Sequence, residues 1–373
     1  MKIGFDAKRA FNNFSGLGNY SRVAIESLVQ YYPDENYFLF SADRNNKLFE
    51  QIQFRKSIET IYSSSLLKSY WRSYSQVNDW KKLKIDLFHG LSNELPFGLN
   101  RAKTKTIVTI HDVIFKKHPE FYSFVDRIIY DIKTKHACIH SDKIICVSEQ
   151  TKKEVMHFYK VPDSKIKVIY TSLPSHITRM ISVDKTEEVK TRFRLPEKFL
   201  LYVGTIEKRK NLLTIIKALN NLRAQHLPLV VVGKPTKYLK EIKNYLHDYA
   251  PHLKIIFIHD AGNEDLNVIY SLAFVFIYTS LIEGFGIPLI EAATHGVPSI
   301  TSRDSCMEEA AGKGAIYIDP KSESETASAI SRLINEPILH KQLSALAIAH
   351  SAKFNSKRLA DELMNLYKEN NEN

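Results

Sequence analysis

Residues 273–301 combine side chains and spacings that suit a phosphate-binding site. A strand predicted at 273–278 leads into a glycine-rich loop, a helix with Pro288 in its first turn, and a second strand predicted at 297–301. The first amides of such a helix are unpaired and lie at the positive end of its dipole, where an anion binds well. Two carboxylates flank the loop, so the pattern favours a ligand with anionic and hydroxyl parts, as in a sugar nucleotide. The residues concerned are Glu283, Gly284, Phe285, Gly286 and Glu291.

A run of cations after another predicted strand forms a second candidate group. The strand predicted at 199–203 ends at Gly204, and Lys208, Arg209 and Lys210 precede the next helical pattern. Arg supplies a planar fork of donors and Lys a compact charge, and together they suit a diphosphate. Such a run is often only surface charge, but its position after a glycine-terminated strand favours a binding site.

The N-terminal half contributes a histidine and two glycines. His111 follows the apolar strand predicted at 105–110, and a polar residue at a strand end indicates a cleft position. Gly16 and Gly18 open the first long helix, but Ser21 occupies the place of the third glycine of a dinucleotide fingerprint. We therefore expect a loop that approaches a ligand from the opposite domain.

Metal-binding patterns are absent from the sequence. The chain contains no D-x-D and no Cys/His grouping with metal-ligand spacing, so we expect cations and helix N-termini, and no metal, to hold a diphosphate. The cysteines Cys138, Cys146 and Cys306 show no C-x-x-C spacing and are predicted to pack as small hydrophobic residues in a reducing cytosol.

The elements that must position these residues alternate along the chain. Apolar strand candidates alternate with longer helical patterns, which predicts parallel sheets, and six strands per half indicate two doubly wound α/β domains. Most candidate residues follow a predicted strand, at the edge where open α/β sheets bind ligands, and two such domains facing each other would enclose one cleft. The predicted strands are 2–6, 36–41, 85–89, 105–110, 143–147 and 166–170, then 199–203, 228–232, 254–258, 273–278, 297–301 and 315–318.

Composition and charge narrow the class of protein. The 373 residues are 44% hydrophobic and 25% charged, as in a soluble globular protein of two or three domains. The start of the chain does not read as a signal peptide, and no segment approaches the roughly 18 apolar residues of a membrane span. We therefore expect a cytoplasmic protein.

The net charge of +11 is concentrated in the N-terminal half. Residues 1–175 hold 27 Lys and Arg against 18 Asp and Glu, which fits nucleic acid, an anionic membrane or an acidic substrate. Segment 66–84 mixes cations with aromatic residues, which suits a lipid headgroup zone or, equally, a solvated helix whose aromatic residues face the core. Its cations are Lys68, Arg72, Lys81, Lys82 and Lys84.

Over nearly its whole length the chain resembles the retaining glycosyltransferases of family 4 (group 1), which have the two-domain GT-B fold. The Glu-Gly-Phe-Gly block and the Arg-Lys-Asn block together make this resemblance specific. The motifs that carry it are SGLGNY (15–20), DLFHGLSNELP (86–96), TIHDVIF (109–115), CVSEQTKKEV (146–155), YVGTIEKRKN (202–211), EGFGIPLIEA (283–292) and VPSITSRDSCMEEAAG (297–312).

The resemblance implies a domain organisation and a donor site. An N-terminal acceptor-side Rossmann-like domain would span 1–172, a C-terminal nucleotide-sugar-binding Rossmann-like domain would span 173–354, and a last helix at about 355–373 would cross back to the first. The diphosphate of the donor would bind two cations and a run of backbone amides beside Gly204. These donor residues would be Arg209, Lys210, Gly284, Phe285, Gly286 and Ile287, with Glu291 on the ribose hydroxyls.

The remaining roles implied by the resemblance concern the reacting groups. Glu283 would contact the transferred sugar or the reacting face, and His111 would lie against the donor sugar. Gly16 and Gly18 would lie near the phosphate and the acceptor. Glu309 matches an acid of the family pattern, although the proline that usually precedes that acid is missing.

The resemblance also implies the reaction. A hexose-type sugar would pass from a nucleotide-sugar donor to a hydroxyl of a glycan or lipid-linked acceptor in surface polysaccharide synthesis, with retention of configuration and no obligatory metal. An anionic membrane surface, at the inner membrane face, is a further candidate partner, and no nucleic acid is expected. Two alternatives stay open: an NAD-dependent doubly wound enzyme, which the incomplete fingerprint disfavours, and a non-enzymatic nucleic-acid or membrane-binding protein.

Overall fold

Two units, each with its own parallel sheet, make up the chain. The computed structural model describes residues 1–13, 16–42, 57–63, 67–99, 103–222 and 227–372. Ser15 of the first motif and Leu66 at the start of the basic segment lie outside the described residues. Unit 1 comprises Met1–Ser172 and Phe354–Asn373, and unit 2 comprises Leu173–Lys353.

Within the described residues, unit 1 contains a parallel sheet of seven strands. Its strands are β1 (Lys2–Asp6), β2 (Asn36–Ser41), β3 (Ile58–Tyr62), β4 (Leu87–Gly90), β5 (Lys105–Ile110), β6 (Lys143–Cys146) and β7 (Ile166–Val168). The order is β3-β2-β1-β4-β5-β6-β7. The sequence predicted six strands and missed β3, because this strand pairs only with β2 at the sheet edge and lacks a buried apolar run.

Helices connect these strands, and serine side chains begin two of them. The helices are α1 (Lys8–Asn12), α2 (Gly16–Tyr31), α3 (Lys68–Tyr70), α4 (Gln76–Leu83), α5 (Ile114–Lys117), α6 (Phe124–His140) and α7 (Glu149–Tyr159). A π-helical turn, Trp71–Ser75, joins α3 to α4. Ser123 and Ser148 accept a backbone N–H of the first turn of α6 and α7, which satisfies donors that lack a helical partner.

Unit 2 contains, over its described residues, a parallel sheet of six strands. They are β8 (Leu200–Val203), β9 (Leu229–Val232), β10 (Ile255–Ile258), β11 (Val275–Tyr278), β12 (Ser299–Ser302) and β13 (Ala315–Ile318), in the order β10-β9-β8-β11-β12-β13. Five of the six strands begin one or two residues later than predicted. Two of them, β9 and β12, begin directly after Pro228 and Pro298, because proline has no N–H to donate to a neighbouring strand.

The helices of unit 2 alternate with its strands. They are α8 (Val183–Phe193), α9 (Leu212–Leu222), α10 (Tyr238–Tyr249), α11 (Asn263–Leu272), α12 (Ile287–Thr294), α13 (Met307–Ala311), α14 (Glu323–Asn335) and α15 (Pro337–Ser351). Isoleucine, leucine and valine side chains from the strands and from α9 and α14 form one core. Together the two sheets confirm the predicted class of two doubly wound, Rossmann-like α/β domains.

Each sheet has one point at which the winding of the chain reverses. In unit 1 this switch point lies between β1 and β4, and in unit 2 between β8 and β11. Connections leave these neighbouring strands toward opposite faces of the sheet, which opens a crevice at their carboxyl ends. Residues that directly follow β8 and β11 are therefore brought together.

The basic segment is not a continuous cationic surface. Trp71 and Trp80 belong to the hydrophobic core, so the core-facing interpretation is right for both tryptophans. Arg72 was predicted to be a surface cation, but its side chain is 11% exposed and pairs with Asp6 and Glu94. Buried between two carboxylates, it cannot meet a membrane. The other four cations of the segment are exposed.

The last helix, α16 (Ser356–Glu372), is anchored in unit 1 through buried hydrogen bonds. Tyr367 Oη lies 2.6 Å from His89 Nδ1, and His89 Nε2 lies 2.8 Å from Thr109 Oγ1. Thr109 Oγ1 in turn lies 3.0 Å from the hydroxyl of Tyr20 on α2. Burial, with a smaller contribution from His111, lowers the pKa of His89 to about 3, so this imidazole is neutral.

We predict that unit 1 loses stability in acid because of His89. Its native pKa is about 3 and its unfolded pKa about 6.5, so below about pH 6.5 the unfolded state binds a proton that the native state does not. The stabilisation is complete above that pH and should fall by up to about 1.4 kcal/mol per pH unit toward pH 3. His89→Gln should remove this share of the slope in urea unfolding, whereas His157→Gln, at an exposed position of α7, should not. An unchanged slope in His89→Gln would contradict the prediction.

Candidate functional site

The loop between β11 and α12 has a backbone conformation that requires glycine. Gly286 has a φ of 126°, which residues with a side chain rarely adopt, and a Cβ there would lie 3.1 Å from the Leu289 side chain. Helix α12 begins at Ile287 with Pro288 in its first turn, so its first amides have no carbonyl partner within the helix. The predicted order of strand, loop, helix and strand is confirmed here.

The turn after β8 is fastened to this loop. The amide of Leu281 donates to the carbonyl of Arg209 (2.9 Å), and Arg209 Nη1 donates to the carbonyl of Ile282 (2.8 Å). Asn211, with a φ of 61°, donates its side-chain amide to the carbonyl of Thr279 (3.0 Å). These bonds hold the two chain segments that leave the switch point of unit 2.

Arg209, Lys210 and Glu283 form a partly buried ion cluster at this junction, with side chains 11–19% exposed. Lys210 Nζ lies 2.6 Å from Glu283 Oε1, and Arg209 Nη1 lies 2.9 Å from Oε2, so each carboxylate oxygen faces one cation. Lys210 also donates to the Tyr278 hydroxyl (2.6 Å), which donates to Glu283 Oε1 (3.0 Å). Lys208 is 68% exposed, so the structure brings only two of the three consecutive cations to the site.

The cluster fixes the charge of its members. Burial alone would raise the pKa of Glu283, but the charges of Lys210 and Arg209 outweigh it and hold this pKa at about 2. Burial lowers the pKa of Lys210, and Glu283 offsets this only in part. Against the effect of burial, Glu283 and Glu207 raise the pKa of Arg209. Glu283 is therefore ionised at neutral pH and is no proton donor.

Glu291, on α12, has a different environment from Glu283. It is 5% exposed, and its Oε2 accepts a hydrogen bond from the Tyr270 hydroxyl at 2.8 Å. Burial raises its pKa to about 7, and the bond from Tyr270 offsets this only in part. Among the described residues, no hydrogen bond or ion pair joins Glu291 to Arg209 or Lys210. The acids that flank the loop in sequence thus have different charge states.

His111 lies directly after β5 in unit 1 and is held in one tautomer. Its Nε2 lies 2.8 Å from the carbonyl oxygen of Leu91, which can only accept, so Nε2 carries the proton and Nδ1 a lone pair. Burial lowers its pKa to about 4, and the ring is neutral at pH 7. Its backbone amide donates to Asn93 Oδ1 (2.8 Å), and its ring lies edge-on to Tyr20. Such an imidazole can accept a hydrogen bond from a hydroxyl group.

The glycines of the candidate site differ in their surroundings. A Cβ on Gly18 would lie 1.8 Å from the carbonyl oxygen of Asn13, so packing alone requires glycine there. A Cβ on Gly16 would meet no described atom within 4 Å, so the described residues give no packing reason for that glycine. Gly204 lies beside the ion cluster, where a Cβ would be 3.8 Å from the Lys210 side chain.

Sequence reasoning missed the tyrosines and the asparagine that hold these groups. Tyr278 ends β11 at the carboxyl edge of the sheet, and the rule that identified His111 could also have found it. Tyr270 lies within α11, where no local pattern marks a residue that will meet Glu291. Asn93 follows β4 in the motif DLFHGLSNELP, but only the fold brings it to His111.

Three further properties bear on the chemistry. Among the described residues, no group of three His, Cys, Asp or Glu side chains could hold a metal ion. The same part of the chain has no helix that is long and apolar enough to cross a membrane. The cysteines Cys138, Cys146 and Cys306 are buried, and no disulfide bond joins them.

Two family models and several curated proteins match the chain. The model described as Glycosyltransferase Family 4 matches residues 24–174, and the model described as Glycosyl transferases group 1 matches 183–350. The O-antigen chain mannosyltransferase B of Escherichia coli is 24% identical over 99% of this chain and 100% of the relative. The O-antigen chain mannosyltransferase RfbU of Salmonella typhimurium is 28% identical over 74% of each chain.

Solved structures share the fold at lower identity. Anabaena HepE in complex with UDP and glucose has a TM-score of 0.76 at 16% identity, covering 99% of this chain and all of that one. Sucrose-phosphate synthase from Thermosynechococcus elongatus has a TM-score of 0.78 at 19% identity, covering 99% and 98%. At these identities the likeness shows the fold alone.

We predict that Glu291→Gln stabilises unit 2 in mildly alkaline solution. The native pKa of Glu291 is raised from about 4.5 to about 7, so its protonated form favours the native state, and that stability is lost as the pH rises through 7. The difference in free energy of unfolding between the Gln variant and the unmodified chain should therefore be roughly 1–3 kcal/mol more favourable to the variant at pH 8 than at pH 4. Glu187→Gln, at a side chain 62% exposed, should show no such gain in urea unfolding. A destabilised Glu291→Gln protein at pH 8 would refute the assignment.

Proposed function

This chain belongs to the group 1 glycosyltransferases, as its motifs predicted, and we propose its function on that basis. In this proposal the protein transfers a hexose from a nucleotide-sugar donor to a hydroxyl of a glycan or lipid-linked acceptor in surface polysaccharide synthesis. The observation that carries the proposal is the cluster of Arg209, Lys210 and Glu283 at the switch point of unit 2. Two partly buried cations at the carboxyl ends of parallel strands suit a diphosphate. Because two curated relatives are mannosyltransferases of O-antigen chains, mannose is the first donor sugar to test.

In this proposal the donor diphosphate competes with Glu283 for the two cations. Its oxygens would bind Arg209, Lys210 and the amides from Gly284 to Ile287 at the start of α12. Gly204 supports this placement, because it leaves no side chain beside Lys210. Once the cations face phosphate, the oxygens of Glu283 become available to accept hydrogen bonds from the hydroxyls of the transferred sugar. Donor binding would thereby prepare the group that positions the sugar.

The other candidate residues are assigned to the sugars and the acceptor. Glu291 would accept hydrogen bonds from the ribose hydroxyls, a role in which its ionised form is the better acceptor. His111 would accept a hydrogen bond from the donor sugar through Nδ1, since Nε2 is bonded to a backbone carbonyl. Gly16 and Gly18 would lie near the phosphate and the acceptor.

The charge states favour a same-face substitution with retention of configuration. The cations stabilise the charge that develops on the departing diphosphate. Glu283 is ionised, and His111 is neutral with a pKa of about 4, so neither is suited to protonate the leaving group at pH 7. In the proposed step the sugar–phosphate bond breaks, the acceptor oxygen bonds to the same face of the sugar, and the departing phosphate oxygen takes the acceptor's proton. Cations and backbone amides, without an obligatory metal, compensate the diphosphate.

We predict that donor binding depends on Lys210 and not on its neighbour Lys208. Loss of one charged hydrogen bond removes about 1.5–3 kcal/mol, so Lys210→Ala should weaken binding of GDP-mannose or UDP-glucose roughly 10–100-fold. Lys208→Ala is the matched control, because Lys208 belongs to the same turn but is 68% exposed. Calorimetric titration in the presence of EDTA measures the donor affinity of both variants. It also tests whether donor binding requires a divalent metal. Equal affinities of the two variants would remove the cluster from the donor site.

We predict that the two acids separate in kinetics. Glu283→Gln should lower kcat by roughly 100-fold without raising the donor KM, since Glu283 competes with the diphosphate and acts on the sugar. Glu291→Gln should mainly raise the donor KM, by about tenfold, because it binds a part of the donor that does not react. Initial rates over a range of donor concentrations measure both effects. Small, matching losses in both variants would mean that the acids are structural.

A further inference from the structure

Helix α6 presents an apolar face to solvent. Six of its large apolar side chains, all on described residues, are 43–71% exposed. At about 100° per residue they fall within an arc of about 140°. The six residues are Phe124, Val125, Ile128, Ile129, Ile132 and Ile139. A surface helix normally exposes polar residues over such an arc.

The core of unit 1 is packed by the other side of this helix. Thr134, Ala137 and Cys138 are buried, and the latter two belong to the hydrophobic core. On the same helical projection, these buried residues lie opposite the exposed arc. Helix α6 is therefore apolar on two sides, although unit 1 needs only one of them. Monomeric soluble proteins rarely leave a contiguous apolar face of this kind uncovered.

Aromatic rings extend the exposed face toward α3. Tyr70 stacks on Tyr74, Tyr74 stacks on Phe97, and Phe97 contacts His136 of α6, with ring centroids 5.4, 5.2 and 4.3 Å apart. Tyr70 and Tyr74 are 56% and 49% exposed. Tyrosine has an apolar body and a polar tip, which suits the interface between a bilayer and water.

Cations border the same face. Lys135 is exposed and lies within the apolar arc. Next to the arc, Lys116, Asp131 and Arg127 line a cavity of about 180 Å³ together with apolar side chains of α5 and α6. Arg127 Nε is buried there without a hydrogen-bond partner among the described residues. A guanidinium N–H without an acceptor, beside a cavity lined by both charged and apolar side chains, suits an anionic head group with an acyl chain next to it.

We propose that the exposed residues of α6, with Tyr70 and Tyr74, form a docking face for an anionic phospholipid bilayer. The apolar side chains enter the boundary of the acyl chains while Arg127 and Lys135 meet the phosphates of the head groups. The excess of 27 cations over 18 acids in residues 1–175 favours anionic over neutral lipid. A second copy of the chain fits less well, because a symmetric contact would bring the same cations together. Docking does not depend on the proposed transfer reaction.

Flotation of the full chain with vesicles tests the apolar part of the docking face. The vesicles contain equal parts of phosphatidylcholine and phosphatidylglycerol. Ile128→Ser with Ile132→Ser should lower the partition coefficient at least tenfold, and both side chains are exposed, so the protein should still fold. The matched control is Val183→Ser with Ile338→Ser in unit 2, where the side chains are 78% and 75% exposed. Binding by this control should equal that of the unmodified chain.

A second comparison tests the choice of lipid. Arg127→Gln with Lys135→Gln should reduce binding to the phosphatidylglycerol vesicles several-fold, as should added salt, and should not change binding to pure phosphatidylcholine. Equal vesicle binding by the isoleucine variant and the unmodified chain, or no binding by the unmodified chain, would overturn the proposal. So would a dimer of the unmodified chain that the isoleucine variant turns into a monomer in sedimentation velocity, because the face would then bind a second copy.

Discussion

Glu283 faces Arg209 and Lys210 only because the winding of unit 2 reverses between β8 and β11. The cations follow one strand and the acid follows the other, more than seventy residues later, and no local interaction could bring them together. The ion pairs in turn hold the turn after β8 against the loop after β11. Because these ion pairs are partly withdrawn from water, loss of any one of the three residues would leave a poorly compensated charge at this junction. The donor site we propose is thus a consequence of the sheet order.

Two acids that look equivalent in the sequence differ because their surroundings differ. Both Glu283, which is 11% exposed, and the buried Glu291 are largely withdrawn from water, which raises the pKa of any carboxyl group. Two cations reverse this effect at Glu283, whose pKa is about 2, whereas Glu291 has only the Tyr270 hydroxyl and a pKa of about 7. Pairs of acids with separated pKa values commonly have separate roles in active sites. In the proposed site the ionised acid would position the sugar electrostatically, and the other would bind hydroxyl groups through hydrogen bonds.

Two histidines of unit 1 are uncharged. His89 and His111 are neutral because burial lowers both pKa values, and both are fixed through hydrogen bonds to oxygen atoms. Much of the positive charge of this half lies at the surface instead, in part next to the apolar arc of α6. A neutral His111 that can accept a hydrogen bond from a hydroxyl group, together with a cationic, apolar surface for lipid, would fit the proposed transfer to a lipid-linked acceptor.

The sequence by itself determined the fold class, the cations and the acids of the candidate site, because strand periodicity, prolines and glycines act locally. It missed β3, whose place at the sheet edge demands no apolar run. It also misjudged Arg72, since only the tertiary structure places Asp6 and Glu94 around it. The charge of Glu291, the tautomer of His111 and the exposure of α6 were likewise decided by tertiary structure. The physical reason is that residue type fixes which interactions a side chain can make, whereas burial and neighbours distant in sequence fix which ones it does make.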